Sequence, residues 1–239
     1  MIITEPFLSL AIPIAILVLI SSVARYIHLV FFERYFKLTF EGAPFWNLFY
    51  FSLWTGVIVL LFPIEITELV SQISFIGFLL LFVLLLVVFP AMYHIFRLQI
   101  GNPVWLAELF PGQGMLTLEE RYIFAKIGDV VFQQSVAGAM LLTLLAQGLE
   151  YPVIVGIFLV LFTFAHLYLF RTSGFVWGMH YTAYAMLGGF AFPFLIIFVP
   201  GGIGYSIVLH MLFYVLSAIF FAKLPYPSKR IRKHLGAHI

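Results

Sequence analysis

The chain has 239 residues, of which 64% are hydrophobic and only 9% are charged. Together with a strongly positive mean hydropathy, this composition excludes an ordinary soluble domain. The net charge of +2 is small, and the absence of cysteine excludes disulfides, thiolate metal sites and a cysteine nucleophile. The sequence therefore predicts an integral, all-α membrane protein with no nucleic-acid partner.

Seven apolar runs, taken in chain order, are long enough to cross a bilayer, whose hydrocarbon core needs about 20 residues of helix. They cover residues 7–31, 45–63, 72–96, 121–147, 151–170, 176–199 and 203–222. The first residues, MIITEP, lack the basic region of a signal peptide, so we expect the first run to be a retained helix. The predicted fold is a polytopic bundle of seven transmembrane helices.

The basic residues predict the orientation of this bundle. If the amino terminus is outside, all 12 Lys and Arg residues fall at the cytoplasmic side, whereas the charged residues of the outside segments are all glutamates. This distribution follows the positive-inside rule and places the carboxyl terminus in the cytoplasm.

The chain divides into four parts. Residues 1–99 hold the first three spans. Residues 100–120 mix Gly and Pro with large apolar residues, which predicts a cytoplasmic interfacial segment ending in a capping box of Thr117 and Glu120. Residues 121–222 hold a four-helix core, and the basic tail, residues 223–239, is expected to lie on anionic membrane lipids.

Asp129, the only aspartate in the chain, lies in the fourth apolar run. A charged side chain within the membrane is costly and is by default a functional-site hypothesis. Its expected partners are His166, His180 and His210, one on each of the next three runs. Gln133 follows Asp129 by four residues and is therefore expected on the same helix face.

Each polar residue also has a purely structural interpretation. A histidine in a transmembrane helix often forms only a hydrogen bond between helices, and His28, near the end of a run, is expected at the membrane interface. However, one aspartate and three histidines on four consecutive runs favour a common site. We expect this site in a polar cavity that opens toward the cytoplasm.

Several hydrolase chemistries are excluded by the residues available. The chain has no second intramembrane carboxylate for an aspartic protease, no G-x-S-x-G turn for a serine hydrolase, and no H-E-x-x-H zinc motif. Asp129, His166 and His210 together remain able to bind a divalent metal such as zinc or iron.

Three segments of the four-helix core carry motifs at matching positions. GDVVFQQ, residues 128–134, is similar to an EExxFR motif and keeps Phe132. LFTFAH supplies FxxxH as Phe162 and His166, and GGIGYSIVLHMLFY carries a second histidine, His210. Together these segments resemble the CPBP family of intramembrane endopeptidases, the CAAX-protease and bacteriocin-processing group, and the resemblance leaves out the first three spans.

The resemblance implies that a carboxylate activates water and that histidines stabilise the oxyanion as a peptide bond is cleaved within the membrane. Asp129 would be the base, His166 and His210 the oxyanion donors or metal ligands, and Gln133 or Tyr214 would orient the water. The residues expected to border the substrate are Phe132, Phe162, His180 and Tyr214. The implied setting is a prokaryotic inner or plasma membrane, with lipids and a hydrophobic or membrane-embedded peptide as partners.

The sequence departs from the family where the chemistry is expected. Gly128 and Asp129 stand in the two glutamate positions, and Gln133 stands in the arginine position. One alternative is therefore a catalytically degenerate relative that binds a hydrophobic peptide, a lipid or a partner subunit in its cavity. Another is a redox protein whose histidines ligate haem.

Overall fold

The structure is a computed structural model that describes residues 5–38, 42–63, 74–100, 120–167, 170 and 174–222. In these residues the chain forms seven α-helices and one π-helical segment, with no strand. They are α1 (Glu5–Ile27), the π segment (His28–Tyr35), α2 (Pro44–Leu61), α3 (Phe75–Ile100), α4 (Glu120–Ala146), α5 (Tyr151–His166), α6 (Gly174–Phe198) and α7 (Gly202–Ala222). Each α-helix overlaps one predicted apolar run, and the all-α prediction is confirmed for this part of the chain.

Three predictions fall outside the described residues. Most of the interfacial segment, residues 101–119, lies there with the capping residue Thr117. The basic tail, residues 223–239, also lies there. His180 belongs to α6, but its side chain is outside the described part of the structure.

Four helical stretches in the described residues are long and apolar enough to cross a membrane. They are Ala11–Tyr35, Pro44–Leu61, Ile123–Ala146 and Tyr181–Phe198. Shorter apolar helices are described over Phe75–Val87, Tyr151–His166 and Gly202–Val215. Many large apolar side chains face outward, among them Leu60 at 83% exposure and Phe75 at 82%, a surface that soluble proteins avoid. These features indicate a membrane protein.

Helix α4 lies at the centre of the bundle and packs against α1, α2, α5, α6 and α7. Its side chains from Ser135 to Leu141 are buried. Gly128 allows the close approach of α2, because a Cβ atom there would lie 3.0 Å from the Cα atom of Leu48. The central position of α4 removes Asp129 from the lipid-facing surface.

A short turn joins α4 to α5 and sets their relative direction. Gly148 adopts a positive φ of 71° after the last turn of α4, a conformation that favours glycine. Pro152 then stands in the first turn of α5, where its missing N–H leaves no hydrogen bond unmade. Because the helices run antiparallel, Asp129 near the start of α4 and His166 at the end of α5 lie toward the same end of the bundle.

Buried polar contacts fix α1 against α2. His28 is only 1% exposed, and its Nε2 atom shares a hydrogen bond with the side-chain oxygen of Asn47. The hydroxyl of Tyr50 donates to the backbone oxygen of Ala24 at 2.8 Å. The sequence predicts His28 at the membrane interface; within the bundle its ring is buried against α2, which supplies its polar partner Asn47. These contacts hold the end of α1 that carries Arg25.

Candidate functional site

Asp129 is completely buried, and three side chains donate hydrogen bonds to its carboxylate. Oδ1 accepts from Nη2 of Arg25 and from Nε2 of Gln133, the latter at 3.0 Å. Oδ2 accepts from Nζ of Lys126 at 2.8 Å. The carboxylate therefore forms ion pairs with two cations, one on α1 and one on α4.

These partners differ from the histidines that the sequence led us to expect. Among the described side chains, neither His166 nor His210 forms a hydrogen bond or ion pair with Asp129. Full positive charges stabilise a carboxylate in a low-dielectric interior more strongly than a neutral imidazole does. The prediction that Gln133 shares the face of Asp129 is confirmed by their hydrogen bond.

The two cations also lie over aromatic rings. The guanidinium of Arg25 is 5.2 Å from the ring centre of Phe51, and Nζ of Lys126 is 5.2 Å from that of Tyr214. Such contacts stabilise a partly desolvated cation. The sequence identifies both residues only as topology signals. The three-residue spacing of Lys126 and Asp129 was visible in the sequence, whereas no local pattern signals Arg25, which is 104 residues away from Asp129.

A cavity of about 430 Å³ lies beside these residues, and we call it the charged cavity. Its polar lining consists of Ser21, Ser22, Arg25, Lys126, Asp129, Gln133, His166, Tyr181 and Tyr214. Its apolar lining consists of Val18, Val136, Ala137, Met140, Phe158, Leu161, Phe162, Phe164 and Ala165. The volume is typical of small-molecule sites. Of the predicted site residues, the charged cavity brings together Asp129, Gln133, Phe162, His166 and Tyr214.

His166 is held by its own helix. Its Nδ1–H donates to the backbone oxygen of Phe162 at 2.7 Å, and its ring meets that of Phe162 edge-on at 4.7 Å. In the neutral ring this bond places the proton on Nδ1 and leaves Nε2 as a hydrogen-bond acceptor. His166 thus borders the charged cavity as a polar group whose Nδ1 atom is already bonded.

His210 lies in a second, smaller cavity of about 80 Å³, which His166 also lines. Nε2 of Gln134 donates to Nδ1 of His210 at 2.8 Å, and both side chains are buried. The His210 ring stacks on Tyr214 at 5.4 Å. Sequence reasoning missed Gln134, which follows Gln133 directly but projects from α4 toward α7. His210 does not line the charged cavity.

The predicted metal site is not assembled in the described residues. No group of three or more His, Asp or Glu side chains there could hold a metal ion. The oxygens of Asp129 face cationic donors, and His210 is bonded to Gln134 through Nδ1. The residues Asp129, His166 and His210 therefore do not fit a shared metal ion.

Two motif positions of the proposed family lie away from the charged cavity. Phe132, expected at the substrate, is buried in the core with its ring 5.8 Å from that of Phe51, and it lines neither cavity. Gly128, in the first glutamate position, lies against Leu48 of α2.

No protein-family model, curated protein or solved structure matches this chain.

Proposed function

We propose that this protein is a membrane-embedded binding protein whose charged cavity holds a lipid or hydrophobic ligand without hydrolysing peptide bonds. The observation that carries this proposal is the set of three hydrogen bonds that Arg25, Lys126 and Gln133 donate to the carboxylate of Asp129. A general base needs an oxygen lone pair directed at the water that it deprotonates. A carboxylate has about four such positions, and here three accept hydrogen bonds, two of them from cations.

The composition of the charged cavity supports binding. Cations and hydroxyls occupy one part of its wall, and aromatic and aliphatic side chains occupy the rest. Ligand sites typically combine a mostly apolar wall with a few polar groups that orient the ligand. This interpretation corresponds to the catalytically degenerate alternative that the sequence left open.

Copurification from a mild detergent tests the proposal. Ala165 lines the charged cavity and is exposed, so Ala165→Trp narrows the cavity without disturbing the core. Val160 on the same helix is 52% exposed and does not line it, so Val160→Trp is the matched control. We expect mass spectrometry to find a stoichiometric amphiphilic or hydrophobic molecule with the wild type and Val160→Trp, and to find it lost from Ala165→Trp. Equal recovery from all three proteins would contradict a cavity-bound ligand.

A CPBP-like peptidase is the second candidate, because Asp129 and His166 line the same cavity. Hydrolysis would require the one remaining acceptor position of the Asp129 carboxylate to bind a water and to take its proton, although two cations lower the basicity of this group. The test is cleavage of a membrane-embedded peptide by the reconstituted protein. Arg34 is an exposed cation outside the cavity, so Arg34→Gln is the control. If Asp129→Asn abolishes cleavage and Arg34→Gln retains it, the peptidase replaces the binding assignment.

A Soret absorption band of the purified protein would instead support the haem alternative.

We further propose that all seven helices span a plasma or inner membrane, with the amino terminus outside and the carboxyl terminus in the cytoplasm. The distribution of Lys and Arg supports this topology. Because the chain has no cysteine, single cysteines introduced as Arg34→Cys and Gln147→Cys report their side directly. A membrane-impermeant maleimide added to intact cells should label the variant at position 147 and spare the one at position 34. The reverse pattern would invert the topology.

A further inference from the structure

Helices α1, α4 and α5 supply most of the lining of the charged cavity, and each changes from polar to apolar toward the same end of the bundle. On α4 the lining residues pass from Lys126, Asp129 and Gln133 to Val136 and Met140. Lys126 and Met140 are 14 positions apart on this face, or about 21 Å at 1.5 Å per residue. The part of the cavity wall that α4 contributes is therefore charged at one end and apolar at the other.

Helices α1 and α5 repeat this gradient although their chains run in the opposite direction. On α1 the lining passes from Arg25 through Ser22 to Val18, and on α5 from His166 to Phe158. Because α1 and α4 contact each other and Arg25 meets Lys126 at Asp129, their charged ends coincide. The charged cavity is thus amphipathic along its length.

On the wall of the charged cavity itself, cationic side chains outnumber anionic ones. Of the charged residues lining the cavity, Arg25 and Lys126 are cationic and Asp129 is anionic, so the formal sum is +1. Glu33 on the π segment interacts electrostatically with both cations but does not line the cavity, so an anion inside the cavity would meet the two cations and not this carboxylate. Excess positive charge in a low-dielectric wall attracts an anion more strongly than it would in water.

We propose that the ligand is a single-chain anionic amphiphile, with a carboxylate or phosphate head at Arg25 and Lys126 and its chain along Val136 and Phe158. This inference rests on the proposed binding function and names its ligand class. Arg and Lys form charge-assisted hydrogen bonds to carboxylate and phosphate oxygens. Asp129 orients both cations and keeps the site from carrying two unbalanced charges when it is empty.

Protection of a single cysteine measures this binding on the full chain in nanodiscs of neutral lipid. The variant Ala165→Cys places the only thiol of the chain on the cavity wall. Oleate, oleyl phosphate and oleyl alcohol are added as probes, and the rate of maleimide labelling is followed. We expect the two anionic probes to protect the thiol at a mole fraction at least tenfold lower than the alcohol requires. Comparison of oleate with oleyl phosphate then shows whether the cavity prefers a carboxylate or a phosphate head.

Variants of the cationic end test the role of charge. Lys126→Gln should weaken protection by either anion roughly ten- to hundredfold, because a hydrogen bond to a charged group is lost. Lys126→Arg keeps the positive charge, so the anionic probes should still protect the thiol at a mole fraction within about threefold of that for the parent protein. Arg34→Gln is the control cation outside the cavity. If Lys126→Gln fails to fold, the comparison of anionic with neutral probes in the parent protein still decides the question.

The outcomes separate the ligand class from the binding function. Equal protection by all three probes, unchanged in Lys126→Gln, would overturn the anionic head while leaving a binding cavity in place. Protection by none of the probes, while Ala165→Trp still loses a copurified molecule, would overturn the single-chain amphiphile alone. The binding function itself is contradicted only if, in addition, the copurification test shows no difference between Ala165→Trp and Val160→Trp.

Discussion

Asp129→Asn tests whether the carboxylate is mainly a structural counterion for two buried cations. The substitution preserves the shape of the side chain and removes its charge. The asparagine oxygen can still accept from Arg25 and Gln133, but its NH2 group then meets the ammonium of Lys126, which is also a donor. Both cations lose their counterion while remaining close together.

The expected cost follows from these contacts. A hydrogen bond to a charged group contributes about 1.5 to 3 kcal/mol, and removing one partner of a buried ion pair costs about 3 to 5 kcal/mol. The side chains of Arg25 and Lys126 remain 21% and 11% exposed, so solvent in the cavity relieves part of the repulsion. We therefore expect Asp129→Asn to lower the free energy of unfolding by about 3 kcal/mol, the lower end of that range.

Equilibrium unfolding in mixed micelles, followed by the fluorescence of the four tryptophans, measures this loss. A double-mutant cycle isolates the ion pair: adding Lys126→Gln to Asp129→Asn should recover at least about 1.5 kcal/mol relative to the sum of the single effects. Arg34→Gln, which lies outside the cluster, should add to Asp129→Asn within about 0.5 kcal/mol. Additivity of Asp129→Asn and Lys126→Gln would refute the assignment of Lys126 as a counterion.

Two further predictions concern helix packing around the site. Gly128→Ala should destabilise the protein by about 1 kcal/mol, because the new methyl group meets the backbone of Leu48 and this overpacking outweighs the gain in helix propensity. The control is Gly156→Ala, whose methyl group enters open space and which should be neutral or stabilising in the same unfolding assay. Gln134→Leu should cost about 1 to 2 kcal/mol by leaving buried Nδ1 of His210 without its donor. Nitrogen-15 NMR should show the Nε2–H tautomer of His210 in the wild type and a mixture of tautomers in Gln134→Leu, whereas identical spectra would contradict the hydrogen bond.

The helices could be predicted from the sequence because each overlaps one predominantly apolar run that is long enough to cross a bilayer. All seven α-helices of the described residues overlap those runs. Asp129 was also identifiable as a central residue, since it is the only aspartate and lies far inside one run. Its neighbour Gln133 followed from helical periodicity. Such features depend on residues that are close in the chain.

The partners of Asp129 could not be predicted in the same way. Arg25 lies on α1, and only the packing of α1 against α4 brings it to the carboxylate. The motif resemblance directed attention to histidines, but a motif fixes spacing within one helix and not the rotation of that helix in the bundle. Position 128 illustrates this limit, because it is turned toward Leu48 and away from the charged cavity.

The central claim is that Arg25 and Lys126, and not His166 or His210, hold Asp129. Because Asp129 is the only aspartate, aspartate labelled with carbon-13 at its side-chain carboxyl gives a single NMR signal from this group. We expect the signal to move in Arg25→Gln and in Lys126→Gln, and to keep its position in His166→Ala and His210→Ala. A signal that moves with the histidine variants and is unaffected by loss of either cation would contradict the account.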